Sequence, residues 1–254
     1  MKYPFRILQT GCNTAYFNMG LDEAILESVA DSSAIPTLRL YCWKPAAISL
    51  GYFQGIADEV DIAACERQGI DIVRRITGGG AVFHDAEVTY SIVIPEGHPL
   101  APATILDSYS AICSGIIAGL EGLGVEAEFA PINDIVSGGK KVSGNAQTRK
   151  KGCLLQHGTV LLKVDVDKMF GILNVPKEKA LGKMISDVKA RVTSLSDILR
   201  REISFEEASE AMRAGFVRAL GLDSREEAPA PEEVAKAKEL AAEKFSTREW
   251  IYRR

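Results

Sequence analysis

Two arginines followed by three glycines, at positions 74–80, form the segment of this chain best suited to chemistry. Three consecutive glycines remove every side chain from a turn, so backbone N–H groups can approach an anion closely and positive φ angles cost little. The guanidinium groups of Arg74 and Arg75 are planar, permanently charged donors suited to carboxylate or phosphate. The segment therefore predicts a site for an acidic small molecule, although a glycine triplet alone is more often a tight turn or bulge.

Neither common nucleotide-binding pattern fits this glycine segment. The spacing GxxxxGK[ST] is absent, and Phe83 stands where GxGxxG would require its third glycine. Any anion site here must therefore be of another kind.

A second cluster runs from Asn133-Asp134 to Gly144. The glycine pair 138–139 predicts a hairpin turn, with Asp134 on the strand that enters it and Lys141 on the strand that leaves it. Such a hairpin could direct a carboxylate and an ammonium into one pocket. The alternative is a surface hairpin with solvated lysines, which the small residues beside Lys141 make less favourable.

Two histidines complete the candidate residues. His157-Gly158 interrupts an otherwise apolar strand pattern, and a lone histidine there is more often a satisfied core residue than a catalyst, so we assign His157 a supporting role. His84 could orient the glycine loop through a hydrogen bond or simply cap a turn.

Composition excludes several classes of protein. The 254 residues include 30 Lys+Arg and 34 Asp+Glu, for a net charge of −4, and 46% are hydrophobic. These values argue against disorder and against a nucleic-acid binder that works through bulk positive charge. No apolar run approaches the ~20 residues needed to cross a bilayer, and the first residues lack the features of a secretory signal. We therefore predict a cytoplasmic protein that binds neither membrane nor nucleic acid.

Cysteine and histidine usage argues against a metal cage. The five cysteines include no CxxC pair, and the three histidines form no HExxH motif. An odd number of cysteines in a cytosolic chain suggests reduced thiols that are mostly buried as small hydrophobes.

The order of predicted elements indicates the fold class. Strand-like runs joined by short loops alternate irregularly with amphipathic helices, and Ser204-x-x-Glu207 is a capping box that introduces one of those helices. This pattern predicts an α+β fold with mixed, mainly antiparallel sheets and surrounding helices. We expect a single domain over 1–254 with a mainly helical portion from about residue 165.

Taken together and in this order, the clusters resemble the catalytic module of lipoate-protein ligases, within the biotin/lipoate ligase superfamily. The resemblance extends from the first predicted helix to the segment ending in Glu249-Trp250. The matching motifs are Leu50-Gly51-Tyr52-Phe53-Gln54, Arg74 to Asp85, Asn133-Asp134, Lys141-Val142-Ser143-Gly144-Asn145-Ala146 and His157-Gly158-Thr159.

The resemblance implies a role for each matched residue. Lys141 would be the catalytic lysine, which contacts the acyl carbonyl and the α-phosphate. Asp134 would help to hold Mg²⁺ or to receive the incoming amine. Gly144, His157 and Gly158 would support or line the acyl tunnel. The remaining nucleotide and acyl-adenylate residues would be Arg74, Arg75, Gly78, Gly79, Gly80, Ala81, Val82, Phe83 and His84.

The resemblance further implies an ATP-dependent ligase with ATP and Mg²⁺ as cofactors. Such an enzyme activates lipoate as lipoyl-AMP and transfers the lipoyl group to a lysine of a lipoyl domain, as in glycine cleavage H protein or the E2 subunit of 2-oxoacid dehydrogenases. Many bacterial ligases continue with an accessory domain after the segment matching Glu249-Trp250, whereas this chain stops at Arg254. We therefore keep open a catalytic subunit that is inactive without a separate accessory protein.

A second alternative is an octanoyl or lipoyl transferase that uses no ATP. In the related transferases the acyl group is carried as a cysteine thioester, and that cysteine precedes the lysine motif. The corresponding stretch here, Ala130 to Lys140, has no cysteine and keeps Asn133-Asp134, which favours adenylation. Cys153 is the cysteine nearest to the motifs in sequence, and we interpret it as a packing residue.

Overall fold

The structure is a computed structural model that describes residues 2–173, 186–187 and 189–254. Its strands are β1 (Tyr3–Asn13), β2 (Thr37–Trp43), β3 (Ala47–Leu50), β4 (Asp71–Arg74), β5 (Val82–His84), β6 (Glu87–Pro95), β7 (Glu128–Ala130), β8 (Asp134–Ser137), β9 (Lys140–Lys150), β10 (Cys153–Leu161) and β11 (Leu222–Glu227). Its helices are α1 (Ala15–Ala30), α2 (Ile56–Glu59), α3 (Ile62–Gln68), α4 (Ile105–Gly122), α5 (Val166–Phe170), α6 (Leu195–Leu199), α7 (Phe205–Leu220), α8 (Pro231–Leu240) and α9 (Arg248–Ile251), with a π-helical turn over Ala241–Phe245.

The strands form two sheets. The larger has the order β11-β1-β2-β6-β10-β9-β8-β7, and its strands are antiparallel except where β1 pairs with β11 and β2. The smaller sheet has the order β4-β3-β5, with β3 parallel to β4 and antiparallel to β5. The predicted α+β class with mixed, mainly antiparallel sheets is confirmed.

Helices cover both faces of the larger sheet. Side chains alternate along a strand, and in β2 the buried Leu38 and Leu40 join the core beneath α4 and α7, whereas Tyr41 and Trp43 join the core beneath α1 and α8. Every residue of β2 is consequently buried. Of the predicted capping box, the N-cap half is present, since Ser204 Oγ accepts a hydrogen bond from the Glu207 backbone N–H at 3.1 Å where α7 begins. The Glu207 carboxylate accepts from Arg201 instead, with Oε2 2.9 Å from Nη1.

The cysteine expectation was partly wrong. Cys12 and Cys42 form a disulfide, because the parallel pairing of β1 with β2 places them in register with their Cα atoms 4.2 Å apart. Their separation of 30 residues carries no sign of this pairing. Cys65, Cys113 and Cys153 are free and buried, as expected. No helix within the described ranges is long and apolar enough to span a membrane.

Helices α4 and α7 approach each other through glycines. A Cβ at Gly215 would lie 2.2 Å from the backbone nitrogen of Gly119 and 2.5 Å from the carbonyl oxygen of Gly115. Both neighbours are backbone atoms, so neither can yield by a rotamer change. The spacing of these two helices therefore requires glycine at 215.

We expect Gly215→Ala to lower the free energy of unfolding by about 1–3 kcal/mol or more, because it forces the helices apart. Gly122→Ala is the matched control, since a Cβ there meets nothing within 4 Å; it should leave stability unchanged or raise it by up to about 1 kcal/mol. Urea denaturation of both variants measures the difference. Equal stability of the two would contradict the close helix contact.

Candidate active site

A cavity of about 390 Å³ lies between the glycine loop of the smaller sheet and strands β9 and β10 of the larger one. Its volume is within the range of roughly 300–1,000 Å³ typical of small-molecule sites. Much of its lining is apolar, from Met19, Trp43, Val82, Phe83, Leu161, Val164, Met169 and Val192. The cavity could therefore hold an aliphatic chain.

Most of the residues singled out from sequence meet at this cavity. Those that line it are Arg75, Gly79, Gly80, Ala81, Val82, Phe83, His84, Lys141, Gly144, His157 and Gly158. Arg74, Gly78 and Asp134 are not part of the lining. The glycine loop, the lysine hairpin and the histidine strand, which lie far apart in sequence, thus form one site.

Arg75 supports the glycine turn from inside the protein. Its Nε donates to Thr77 Oγ1 at 3.1 Å. Nη1 donates to the Ser49 carbonyl at 2.8 Å and to Ser49 Oγ at 3.2 Å. Nη2 donates to the carbonyls of Gly78 and Gly80 at 2.8 and 2.7 Å. These bonds engage all five N–H donors of the guanidinium. Arg75 therefore holds the loop in place. Its predicted contact with a ligand phosphate stays a prediction.

Arg74 points away from the cavity, toward the C-terminal segment. Its guanidinium donates to the backbone carbonyls of Gly51 and Gln54 at 2.9 and 2.7 Å and to the Ile251 carbonyl at 2.7 Å. The Trp250 indole N–H donates in turn to the Arg74 carbonyl at 2.8 Å. Arg74 therefore ties α9 to the smaller sheet.

Lys141 is a partly exposed cationic side chain that lines the cavity. Its Nζ lies 2.6 Å from Oδ1 of Asp134 as an ion pair, although the approach is not aligned as a hydrogen bond, and both side chains are more than a third exposed. Gly144 makes room for this lysine, since a Cβ at 144 would lie 2.7 Å from Lys141 Nζ. Asp134 thus positions the ammonium. No group of three or more His, Cys, Asp or Glu side chains suited to a metal occurs among the described residues.

A buried polar chain connects His157 to helix α1. His157 Nε2 lies 2.7 Å from Thr77 Oγ1, and Nδ1 lies 3.4 Å from Asp22 Oδ2. Asp22 also accepts from Arg39 at 2.7 Å and from Ser91 at 2.8 Å. Burial would raise the pKa of Asp22, but these hydrogen bonds and the Arg39 charge outweigh it and leave that pKa lowered. Burial, in contrast, lowers the pKa of His157, which favours a neutral ring.

A second buried cluster includes residues that sequence reasoning missed. Ser49 Oγ lies 2.7 Å from His84 Nε2, and His84 Nδ1 lies 2.6 Å from Glu87 Oε1. Thr89 Oγ1 donates to Glu87 Oε1 at 2.6 Å, and the Trp43 ring stacks on His84 with centroids 4.0 Å apart. The spacing His84-x-x-Glu87 was visible in the sequence. Ser49 gave no such signal, because it lies in a short apolar strand, just before the Leu50–Gln54 motif, and a lone serine there forms no recognisable pattern.

None of the five cysteines of the chain lines the cavity. Burial raises the pKa of the Cys113 thiol to about 12 and that of the Cys65 thiol to about 11. Burial also raises the pKa of Cys153. Such thiols hold little thiolate, which is the nucleophilic form.

The sequence of this chain is similar to one protein family and to several individual proteins. The model of the lipoyl protein ligase A/B catalytic domain matches residues 14–217. The octanoyltransferase LipM of Brevibacillus brevis is 35% identical over 98% of this chain and 99% of its own length. LipM of Bacillus subtilis is 34% identical over 100% and 99%, respectively.

Solved structures of related proteins share the fold. A bi-partite lipoate protein ligase from Thermoplasma acidophilum superposes with a TM-score of 0.86, at 30% identity over 99% of this chain and 96% of that one. A lipoate-protein ligase A bound with ATP superposes with a TM-score of 0.82, at 30% identity over 99% of both chains.

The predicted activity and cofactors need correction. The expectation of an ATP-dependent ligase that forms lipoyl-AMP with ATP and Mg²⁺ was wrong, because relatives that match over nearly their whole length are octanoyltransferases. The transferase alternative agrees better with these relatives. The sequence favoured adenylation because two of its features are typical of ligases. These are the absence of a cysteine between Ala130 and Lys140 and the presence of the Asn133-Asp134 pair.

The lowered pKa of His157 predicts how stability depends on pH. As pH falls, His157 takes up a proton in the unfolded chain before it does so in the folded protein. The free energy of unfolding is therefore unaffected by His157 above the ordinary pKa of about 6.5 and decreases as pH falls from there toward the folded-state pKa. Chemical denaturation of the wild type and of His157→Gln between pH 5 and 8 measures this. The variant should show a shallower decline below about pH 6.5. Parallel curves would show that His157 is not held neutral.

Proposed function

Because this chain belongs to the lipoyl protein ligase A/B catalytic-domain family, we propose that it is an octanoyltransferase that moves an octanoyl group from a thioester donor to a lysine of a lipoyl domain. The observation that carries this proposal is the match to octanoyltransferases over 98–100% of this chain. A thioester is already activated, so the transfer needs no ATP.

The cavity supports an aliphatic acyl group. Apolar side chains from both sheets line it, including Val82, Phe83 and Leu161. Burying each CH₂ of a chain contributes about 0.8 kcal/mol, so an eight-carbon chain gains substantial binding energy. A donor such as octanoyl-acyl carrier protein would insert its acyl tail here and leave the thioester carbonyl at the mouth.

Lys141 would stabilise the charge that develops on the carbonyl oxygen. Attack on a thioester places negative charge on that oxygen, and a preorganised cation lowers the barrier. Asp134 holds the ammonium 2.6 Å away, and the backbone of Gly144 leaves the space it occupies. The reaction therefore finds this cation already oriented.

The acceptor amine would arrive at the same exposed mouth. Lys141 and Asp134 are each more than a third exposed, so a partner protein can approach them. A related solved structure concerns an archaeal lipoate protein ligase and its E2 lipoyl domain, which supports a lipoyl domain as the acceptor. The incoming lysine must be neutral and oriented, and docking of the domain supplies the orientation.

We expect the purified chain to octanoylate an apo lipoyl domain from octanoyl-acyl carrier protein without ATP. Intact mass of the lipoyl domain would show the gain of one octanoyl group. Lys141→Ala should lower the rate by about 10²–10³-fold, as expected for loss of a charge-stabilising donor. No transfer from the thioester, or transfer only from free octanoate with ATP, would refute this function.

Gly144→Ala tests the position of the lysine without removing its charge. A Cβ at 144 would collide with Lys141 Cε and Nζ, both at 2.7 Å, and displace the ammonium. We expect a loss of turnover number with the fold intact by circular dichroism. Gly122→Ala, with nothing within 4 Å of its new methyl group, is the matched control and should keep the wild-type rate.

A further inference from the structure

We propose that Ser49 is the nucleophile that carries the acyl group as an ester, with His84 as its general base and Glu87 as the residue that positions His84. This inference rests on the octanoyltransferase function proposed above and names the group through which that transfer passes.

The cavity needs such a nucleophile if transfer occurs in two steps. The related transferases use a cysteine, but none of the cysteines of this chain lines the cavity. Ser49, His84 and Glu87 all do, and each is at most 5% exposed. Ser49 is therefore placed to act as the nucleophile in the cavity, the role that a cysteine thiol has in the related transferases.

The smaller sheet places the serine and its base together. In the antiparallel pair of β3 and β5, Ser49 lies opposite Val82 and Ala47 lies opposite His84. Ser49 and His84 are therefore diagonal neighbours on one face, which is the separation that a long side chain can span. The resulting distance between Ser49 Oγ and His84 Nε2 is 2.7 Å.

Glu87 determines which nitrogen of His84 carries the proton. The carboxylate Oε1 lies 2.6 Å from Nδ1 and can only accept, so Nδ1 donates to it. Nε2 of the neutral ring is then free to accept the proton of Ser49. This is the serine–histidine–carboxylate relationship found in acyl-transfer enzymes on unrelated folds, which is recognised by geometry and roles.

The surroundings hold this arrangement rigidly. The Trp43 ring stacks on His84 at an interplanar angle of 17°, and the Trp43 indole N–H donates to Thr89 at 2.7 Å. Thr89 in turn donates to the same Glu87 oxygen that accepts from His84. Glu87 Oε2 is buried without a hydrogen-bond partner among the described residues.

Arg75 contributes a charge on the other side of the serine. Its Nη1 donates to Ser49 Oγ at 3.2 Å, and a guanidinium at this distance stabilises the negative charge that grows on Oγ during proton loss. Among the described residues that line the cavity, Ser49 is the hydroxyl with a hydrogen bond to a histidine. Tyr41 donates to Asp22, and Thr89 donates to Glu87.

The chemistry is a pair of acyl transfers. First, Ser49 Oγ attacks the thioester carbonyl, its proton passes to His84 Nε2, the O–C bond forms and the C–S bond breaks, and the departing sulfur takes the proton to leave as a thiol. Second, the neutral lysine amine of the acceptor attacks the ester, the N–C bond forms and the C–O bond breaks, and His84 moves a proton from nitrogen to Ser49 Oγ. No oxidant, metal or nucleotide enters the balance.

A covalent adduct on the wild-type protein is the primary test. The chain is incubated with octanoyl-acyl carrier protein in the absence of a lipoyl domain, quenched in acid, and examined by intact mass and peptide mapping. We expect one octanoyl group on the peptide that contains Ser49, resistant to neutral hydroxylamine as an ester is. An adduct on a cysteine or on Lys141, or rapid transfer with no adduct on Ser49 at any quench time, would overturn the proposal.

Variants test the roles of the three residues. Ser49→Ala should lower transfer by about 10³-fold or more, whereas Ser49→Cys should retain transfer and carry an adduct that hydroxylamine removes. Glu87→Gln should lower kcat by about 10²–10⁴-fold with little change in KM, because the wrong tautomer of His84 is favoured, and Glu87→Asp should recover part of that loss. A purely structural cluster would give no adduct and no rescue by cysteine.

The control keeps the proposal separate from the function on which it rests. Ser209 is buried on α7 outside the cavity, so Ser209→Ala removes a matched buried hydroxyl and should keep the wild-type rate. If the wild type transfers no octanoyl group to a lipoyl domain, the proposed octanoyltransferase function is refuted. If the wild type transfers the octanoyl group and Ser49→Ala does so at the same rate, only the proposal that Ser49 is the nucleophile is refuted.

Discussion

A single buried guanidinium, that of Arg75, determines the shape of the site. A buried charge is tolerable only when its donors are satisfied, and Arg75 meets this condition by binding the two carbonyls of the glycine turn, the backbone and hydroxyl of Ser49, and Thr77. Burial lowers its pKa to about 10, which still leaves the group charged at neutral pH. The loop and strand β3 are therefore locked together around one cation.

Thr77 extends this lock from the smaller sheet to the larger one. Its hydroxyl contacts both Arg75 and His157, and His157 lies on β10 beside Asp22 of α1. The cavity forms at this junction, with the glycine loop on one side and the strands of the larger sheet on the other. The acyl chain proposed to bind there would lie between the two sheets, which these hydrogen bonds hold together.

Relatives named for two different activities share this fold. Solved relatives with TM-scores above 0.8 are lipoate ligases, whereas curated relatives over the full chain are octanoyltransferases. Proteins of this fold thus carry the names of both activities. Architecture therefore does not decide between them, and the chemical groups around the acyl carbon must.

The class of fold, the N-cap of α7 and the grouping of Lys141, His157 and the glycine loop around one cavity could all be inferred from the sequence alone. Those inferences depend on local periodicity, turn chemistry and ordered motifs, which short stretches of chain carry in full. The contacts of Arg74 and Arg75, the Cys12–Cys42 disulfide and the Ser49–His84–Glu87 cluster became visible only in the folded chain. Which way an arginine points, and which strands become neighbours, depends on contacts between segments far apart in sequence, and no local pattern encodes such contacts.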